Sequence, residues 1–462
     1  MGNNSKVCSK TQISGWGQTK KSLVNILSPS SLDKIKKIIS ESKAKSLITR
    51  GLGRSYGDAA QLSNSSILDL SLFNKIEVDF KSNTVTAGSG VCFSELLEKL
   101  IPLGFFLPVT PGTKNITVGG AVAADIHGKN HHVDGSFANH VLELKIIDGN
   151  SKLHKLLPYK TIDKKLTDDY FWATVGGMGL TGVIIEVKFE LIPISSSLMK
   201  VDTRRFNNID SLMENMISSD DKYRYSVAWV DSLSEKGRGV LTCGDHAIKK
   251  DLNKNIKEKF KENFLFYETK SNFKAPNFIP NGVLNKFTVR AFNETWFRKA
   301  PVIRENEFQT IQKFFYPLDG LDNWNNIYGS KGFIQYQFVI PDDSAFLIKH
   351  ILNILRIKEI PTFLTVLKRF GNSNKGYLSF PKKGWTLAID IPNNKSNLAE
   401  ILDDLDKKIA SHDGRIYLAK DSRMSENIFK STYLFFDKWR KIKNIYDPKN
   451  IFYSDLANRL SI

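Results

Sequence analysis

Cysteine is scarce in this chain of 462 residues. Cys8, Cys92 and Cys243 are odd in number and widely scattered, which excludes a disulfide framework and any C-x-x-C zinc pattern. No run of 18 apolar residues occurs, so no transmembrane helix is expected. The opening "MGNNSKVCSKTQISGWGQ" is polar and lacks the apolar stretch of a secretory signal. These absences point to a cytoplasmic protein and leave room for peripheral contact at the inner face of a membrane. There is no P-loop Gly-Lys-Ser/Thr. The nearest approach to G-x-G-x-x-G has Gly51, Gly53 and Gly57, its third glycine one place late, so a Rossmann nucleotide site is not expected.

What the chain does have is positive charge, +18 overall. An excess of that size suits an anionic partner: a phosphate-bearing substrate, an acidic membrane surface or nucleic acid. A generally lysine-rich proteome explains it equally well. The nucleic-acid reading rests on charge alone, because no zinc-finger or RNP pattern accompanies it.

Residues 31–192 alternate helix and strand signals. "SLDKIKKIISESKAK" spaces Leu32, Ile35, Ile38 and Ile39 as a helix does, and "FSELLEKLIPLG" reads as a helix stopped at Pro102 or Gly104. "SLITRG", "SILDL" and "NTVTAGSG" read as strands. "HVLELKIIDGNSKLHKLL" reads as a hairpin turning at Asp148-Gly149, and "GVIIEVKFELIP" as a strand ended by Pro193. After residue 195 the strand candidates lengthen and become aromatic: "YRYSVAWV", "GFIQYQFVIP", "PTFLTVLKRF" and "WTLAIDIP". Helices are expected near 343–357 and 396–411, which makes an antiparallel sheet with helices on one side. The last fifty residues return to helix.

Three glycine-rich stretches lie in the first region: "RGLGRSYGD" (50–58), "PGTKNITVGGAVAADIHGKNHH" (111–132) and "FWATVGGMGLTGVI" (171–184). One such loop is ordinarily a tight turn. Three at element boundaries suggest a large ligand with phosphates and a flat ring, because glycines let backbone amides line up on an anion. The middle stretch also holds three members of a histidine cluster: four of the eight histidines fall between His127 and His140.

"GLGRSYGD", "PGTKNITVGGAVAADIHGKN" and "GGMGLTGVI" resemble the FAD-contacting segments of the vanillyl-alcohol-oxidase-type (PCMH-type) flavoproteins. Within that superfamily, "YSVAW", "GFIQYQFVIP", "FLTVLKRFG", "LSFPKKGW" and "GRIYLAKDSR" resemble the flavoprotein subunits of decaprenylphosphoryl-β-D-ribose 2′-epimerases. The resemblance implies an α+β fold with a two-subdomain FAD-binding domain over 1–195, completed by 413–462. An antiparallel-sheet substrate (cap) domain would span 196–412. It implies FAD contacts from Gly51, Leu52, Gly53, Arg54, Ser55, Tyr56 and Gly57 in the first loop. The second loop would contribute Gly112, Thr117, Val118, Gly119, Gly120, Ala124, Asp125, Ile126 and His127. Gly177, Gly182, Ile184 and Tyr417 would complete the set. His127 is then a flavin-pocket residue rather than a metal ligand, and no metal is expected. Many relatives tether FAD covalently through a histidine where this chain has Arg54, so bound FAD is expected to be non-covalent.

Lys420, His127 and Tyr56 are the expected catalytic residues, with Lys420 as the base or fixed cation. Lys129, Trp229, Gln335, Gln337 and Lys368 are the expected substrate contacts, and the two glutamines share one strand face at period two. The implied reaction oxidises the 2′-hydroxyl of a polyprenyl-phosphoryl ribose, and a separate NAD(P)H-dependent keto-sugar reductase then completes an epimerisation. A soluble alditol or aldonolactone oxidase is the alternative. Finally, Ile248, Leu252, Ile256, Phe260 and Phe264 recur every four residues, and residues 249–262 hold six Lys against three acids. That stripe reads either as a packed surface helix or as a membrane-facing lid.

Overall fold

The computed structural model describes residues 10–159, 165–252, 254, 257–258, 263–268, 273–276 and 279–462. The first half builds two main sheets and a two-stranded pair, Phe105–Phe106 with Ile192–Pro193. Thr11–Ser14, Lys21–Leu27, Ser66–Asp69 and Leu47–Arg50 lie side by side in that order, the last three mutually parallel. The crossover between the second and fourth of these is the helix Leu32–Glu41. Ser31 caps it by accepting from the Lys34 amide, and Ile35 and Ile39 bury its apolar face. The second sheet is antiparallel, in the order Ile76–Asp79, Thr84–Gly88, Val183–Glu190, Val141–Ile147, Leu153–Leu156. The helix Phe93–Leu100 runs into a single 3₁₀ turn, and Gly104 ends it at φ +83°.

The expected hairpin is there, but Gly149 does not make its turn. The loop spans five residues, with Ile147 opposite Leu153, and the left-handed residue is Ser151. Asp148 organises the loop by accepting from the amides of Asn150 and Lys152. Gly149 is small for another reason: a β-carbon there would stand 2.5 Å from Asp447 Oδ1.

The second half forms one antiparallel sheet of eight strands. Their order is Ile303–Thr310, Leu198–Phe206, Gly239–His246, Tyr225–Val230, Thr365–Phe370, Gly384–Pro392, Phe333–Ile340 and Arg415–Ile416. Tyr336, Phe338, Leu387, Ile389 and Leu367 point to one face and join the main core with Leu347, Ile351, Leu402 and Ile409 of the helices Phe346–Ile357 and Leu398–Ala410. The fold is α+β. Four strands of this sheet carry no clean sequence signal: Leu198–Phe206, Gly239–His246, Ile303–Thr310 and Arg415–Ile416. Ile303–Thr310 is an exposed edge rich in charge, as edges that must not recruit another strand often are. Arg415–Ile416 lies beyond the expected boundary at 413, yet pairs with Phe338 and Val339 inside this sheet.

The final helices fold back onto the first half. Phe452 bridges Leu47, Asp455 accepts from Ser22 and Ser63, and Trp439 donates to the Ala173 carbonyl. Arg459 pairs with Asp58 at 2.8 Å and with Asp421 at 2.9 Å. In the lysine-rich stripe, Leu252 and Phe264 pack on Leu198 and Ala247, so this part faces the protein, while Ile248 is exposed. Ile256 and Phe260 lie outside the described residues. Among the described residues, no helix is long and apolar enough to cross a membrane.

Lys443 and Asp447 form a buried pair at 2.8 Å, and Asp447 also accepts from the amides of Ile451 and Phe452. Removing one member of such a pair strands the other charge. Lys443→Met is therefore expected to lower stability by about 3–5 kcal/mol, read as a fall in the urea midpoint. Adding Asp447→Leu to that variant recovers part of the loss.

Candidate active site

A cavity of about 340 Å³ opens between the glycine segments and the free face of the large sheet. Strand register determines what that face presents. Gln337 lies opposite Ala388, Ala388 opposite Val366, and Val366 opposite Trp229, so one row crosses four strands. Gln335 opposite Asp390, and Lys368 opposite Thr386, make the rows on either side. Alternation sends these polar side chains to the cavity face while their neighbours fill the core.

Two lysines stand on this wall. Lys420, half-buried, places Nζ 3.8 Å from the centre of the Tyr56 ring. Burial drives its pKa down to about 7; Asp390 opposes that shift and Lys368 adds to it. Burial alone brings Lys368 to about 8. Neither has an ion-pair partner within 4 Å among the described residues. Asp390 is wholly buried and accepts from Gln335 Nε2 at 2.5 Å. Burial raises its carboxyl to about 7, against the bond from Gln335 and the charge of Lys420. Tyr56 keeps its phenol proton, because burial and the charge of Asp390 both raise its pKa.

The four clustered histidines have separate partners. His127 Nε2 is 3.0 Å from Gln337 Nε2, and its ring sits among Phe370, Phe380 and Tyr417. His131 Nδ1 accepts from the Gly371 amide, His132 reaches the Tyr223 carbonyl, and His140 reaches Glu190 and the Asp134 carbonyl. Burial holds His127 well below the usual imidazole range, and Lys368, His131 and Lys420 push it further down. It is a neutral ring.

Most of the expected site comes together. Gly51 to Tyr56, Gly112, Thr117, Gly119, Gly120, Ala124, Ile126, His127, Gly182, Ile184 and Tyr417 line the cavity, with Gln335, Gln337, Lys368 and Lys420 across from them. Six expected residues do not line it. Gly57 is there for close packing: a β-carbon would stand 1.8 Å from the Asp421 carbonyl. Val118 is buried in the core. Asp125 is wholly buried and accepts from Ser136, Ser379, Asn374 and the Ala138 amide. At Gly177 a β-carbon would stand 2.3 Å from the Ala173 carbonyl. Lys129 turns away, donating Nζ to the Phe314 carbonyl over that ring, while its own carbonyl accepts from the Ser226 amide. Trp229 shares the cavity face but stands one strand beyond the wall. Among the residues that sequence reading missed are Asp390, beside the cavity, and Trp324, Leu318, Leu364, Val366, Thr49 and Ser89, which line it. For Asp390 the signal was present, a carboxylate two places after Ala388 in an otherwise apolar strand.

The first glycine loop has the makings of an anion cradle. Among the described residues, no carbonyl accepts from the amides of Leu52, Gly53, Arg54 or Ser55. Thr49 Oγ1, Ser89 Oγ and Arg54 Nε also lack partners, and all three residues line the cavity. Unpaired donors of this kind suit phosphates and the polar edge of a flat heterocycle. The Arg54 guanidinium lies 3.8 Å above the Trp16 ring.

The fold and this cavity define an FAD-dependent oxidoreductase: residues 25–157 match the model of an FAD binding domain. The chain is 36% identical over 459 residues to decaprenylphosphoryl-β-D-ribose oxidase of Mycolicibacterium smegmatis, covering 98% of this chain and 97% of that one. It is 21% identical to L-gulonolactone oxidase 3 of Arabidopsis thaliana, over 86% of this chain and 74% of that one. The chain belongs to the decaprenylphosphoryl-β-D-ribose oxidase family, and FAD is its cofactor. The cradle fits it: the unpaired amides with Arg54 would hold the pyrophosphate side, and Thr117, His127 and Tyr417 would flank the ring.

Arg54 stands where a tether histidine would be needed, and a guanidinium does not supply that nucleophile. The purified protein is expected to be yellow and to release all its FAD into the supernatant on acid precipitation. Flavin retained in the pellet would contradict this.

Proposed function

We propose that this protein oxidises the 2′-hydroxyl of a polyprenyl-phosphoryl-β-D-ribose to the 2′-keto sugar. A separate NAD(P)H-dependent reductase would then give the arabinose form. The observation that carries this reading is Lys420, a lysine half-buried on a polar cavity wall with no carboxylate in contact among the described residues. The near full-length relative supplies the substrate class. Residues 1–195 with 413–462 are assigned to a two-subdomain cofactor domain and 196–412 to the substrate cap.

Bound FAD supplies the hydride acceptor for the C–H bond. Neutral Lys420 takes the hydroxyl proton and becomes an ammonium ion. Asp390, buried on the same sheet face, then stabilises that ion, which makes proton transfer to a buried base less costly. Tyr56 holds the lysine over its ring face. Lys368 supplies a second cation for the phosphate or for oxygen charge that develops in the reaction. The apolar residues Leu318, Trp324, Leu364 and Val366 exclude water from the same cavity. Trp229, one strand beyond the wall, is assigned to the prenyl end. Peripheral contact with the inner face of a membrane follows from the substrate, because a long prenyl chain resides in the bilayer.

The relation to L-gulonolactone oxidase 3 favours a second reading, oxidation of a soluble aldonolactone or alditol. Anaerobic stopped flow decides between them. Prenylphosphoryl ribose is expected to bleach the flavin within a turnover, and lactones or alditols at equal concentration at least about 100-fold more slowly. Faster bleaching by a lactone would reverse the assignment.

Lys420 must be neutral to act, so the rate of flavin reduction is expected to rise with pH through a limb near 7. Lys420→Ala should retain FAD, lose about 10²–10⁴-fold in reduction rate and lose the limb. A parent-like profile in that variant would remove Lys420 from the chemistry.

A further inference from the structure

Gln335 and Gln337 leave the strand Phe333–Ile340 on the same face, about 7 Å apart along the backbone. A glutamine amide shows a ligand either N–H donors or a carbonyl acceptor, depending on what holds its other end. At Gln337 the holding bonds run in one direction. The Thr386 hydroxyl donates to the Phe338 carbonyl at 2.8 Å, and a carbonyl only accepts, so that proton is committed. Thr386 Oγ1 is then an acceptor for Gln337 Nε2 at 3.2 Å. The same amide nitrogen is 3.0 Å from His127 Nε2. Its second N–H goes there, so Nε2 carries no proton, and neutral His127 is protonated on Nδ1. That atom is enclosed and has no polar partner, with the rings of Phe370, Phe380 and Tyr417 around it.

Both N–H groups of Gln337 are therefore engaged by the protein. Gln335 is held by the same end, with Nε2 on Asp390 Oδ1 at 2.5 Å. Neither glutamine's Oε1 has a hydrogen-bond partner among the described residues, and neither is among the enclosed unpaired atoms. These two carbonyl oxygens are the ends left to the cavity.

We propose that Gln335 and Gln337 form an acceptor pair that recognises two hydroxyl donors of the substrate, and that Gln337 also acts as a positioning residue setting the His127 tautomer. The first half rests on the sugar reading above. A pair of acceptors welcomes hydroxyls and disfavours groups that can only accept, since oxygen would then face oxygen without a proton between them. On a ribosyl substrate oxidised at the 2′ position, the hydroxyls available to the pair are 3′ and 5′. The cavity's lysines, Lys368 and Lys420, are left for the phosphate and the reacting hydroxyl. His127 becomes a neutral wall with no proton to give or take at its cavity side.

Two measurements test this on the FAD-loaded enzyme. Prenylphosphoryl ribose with fluorine at 3′ or at 5′ keeps the size of each hydroxyl but loses its donor. Each analogue is expected to lower kcat/KM about 10- to 100-fold. Either analogue turning over like the parent overturns the acceptor pair. Spectra of ¹⁵N-histidine-labelled protein, with His127 assigned by its absence in His127→Gln, should show Nε2 unprotonated and Nδ1 protonated. Gln337→Glu puts an acceptor-only group against Nε2, so the Nε2 resonance should move to the protonated range. An Nε2 already protonated in the parent, or unmoved in Gln337→Glu, overturns the tautomer assignment. The spectra need no substrate, so a failed sugar reading leaves this half standing on its own result.

Discussion

The site depends on keeping two lysines, Lys368 and Lys420, on a water-poor wall where no carboxylate among the described residues is in contact with them. A cation in such a place is costly unless something neutralises it or lowers its pKa. Here the pKa gives way, to about 8 and about 7. Asp390 stands buried on the same sheet face, beyond ion-pair distance, and lends its field to Lys420 without the contact that would keep the lysine charged. Gln335 lies between the cavity and that carboxylate, and its amide satisfies one oxygen. The base and its counter-charge are thus coupled but not joined, which is what a proton acceptor working near neutral pH requires.

The fold is arranged to hold that wall opposite the glycine loops. The large sheet has one apolar face under two helices and one polar face over the cavity, and cross-strand register places each polar side chain. The last helices lock back onto the first half through Asp58, Asp421 and Arg459, and Lys420 is adjacent to Asp421 in the chain. Even Gly57, which never meets the cavity, contributes by letting the first loop pass against the Asp421 carbonyl. The loop that cradles the cofactor is therefore pressed against the segment that carries the base. Lys129 ties the middle glycine segment to the large sheet in the same way, through Phe314 and Ser226.

The α+β class and Lys420 were implied by a family resemblance, since nothing local marks one lysine among 66 Lys and Arg. The amino-acid sequence by itself determined the strong strands and helices and the three glycine segments. Each of these is a local pattern: period two, period 3.6, or a run of residues whose chemistry is visible in a few letters. It also carried Gln335 and Gln337 onto one strand face, because alternation needs no tertiary knowledge. It did not decide which residues at the site touch a ligand. Asp125, Lys129 and Gly177 sit in the right segments, but their side chains or positions serve packing and hydrogen bonds that involve residues far along the chain. The polar edge strand Ile303–Thr310 was invisible because its burial comes from one neighbour only.

Only the tertiary structure decided the partnerships that join distant segments: Gln337 with His127, Gln335 with Asp390, and Lys420 with Tyr56. The physical reason is that a side chain's pKa and hydrogen-bond polarity come from what surrounds it, not from what precedes it in the chain. Residues 127 and 337 are 210 positions apart, and their single bond fixes the tautomer of a ring that burial keeps neutral and turns one amide oxygen toward the cavity. No spacing rule encodes that; the packing of the sheet against the glycine loops does.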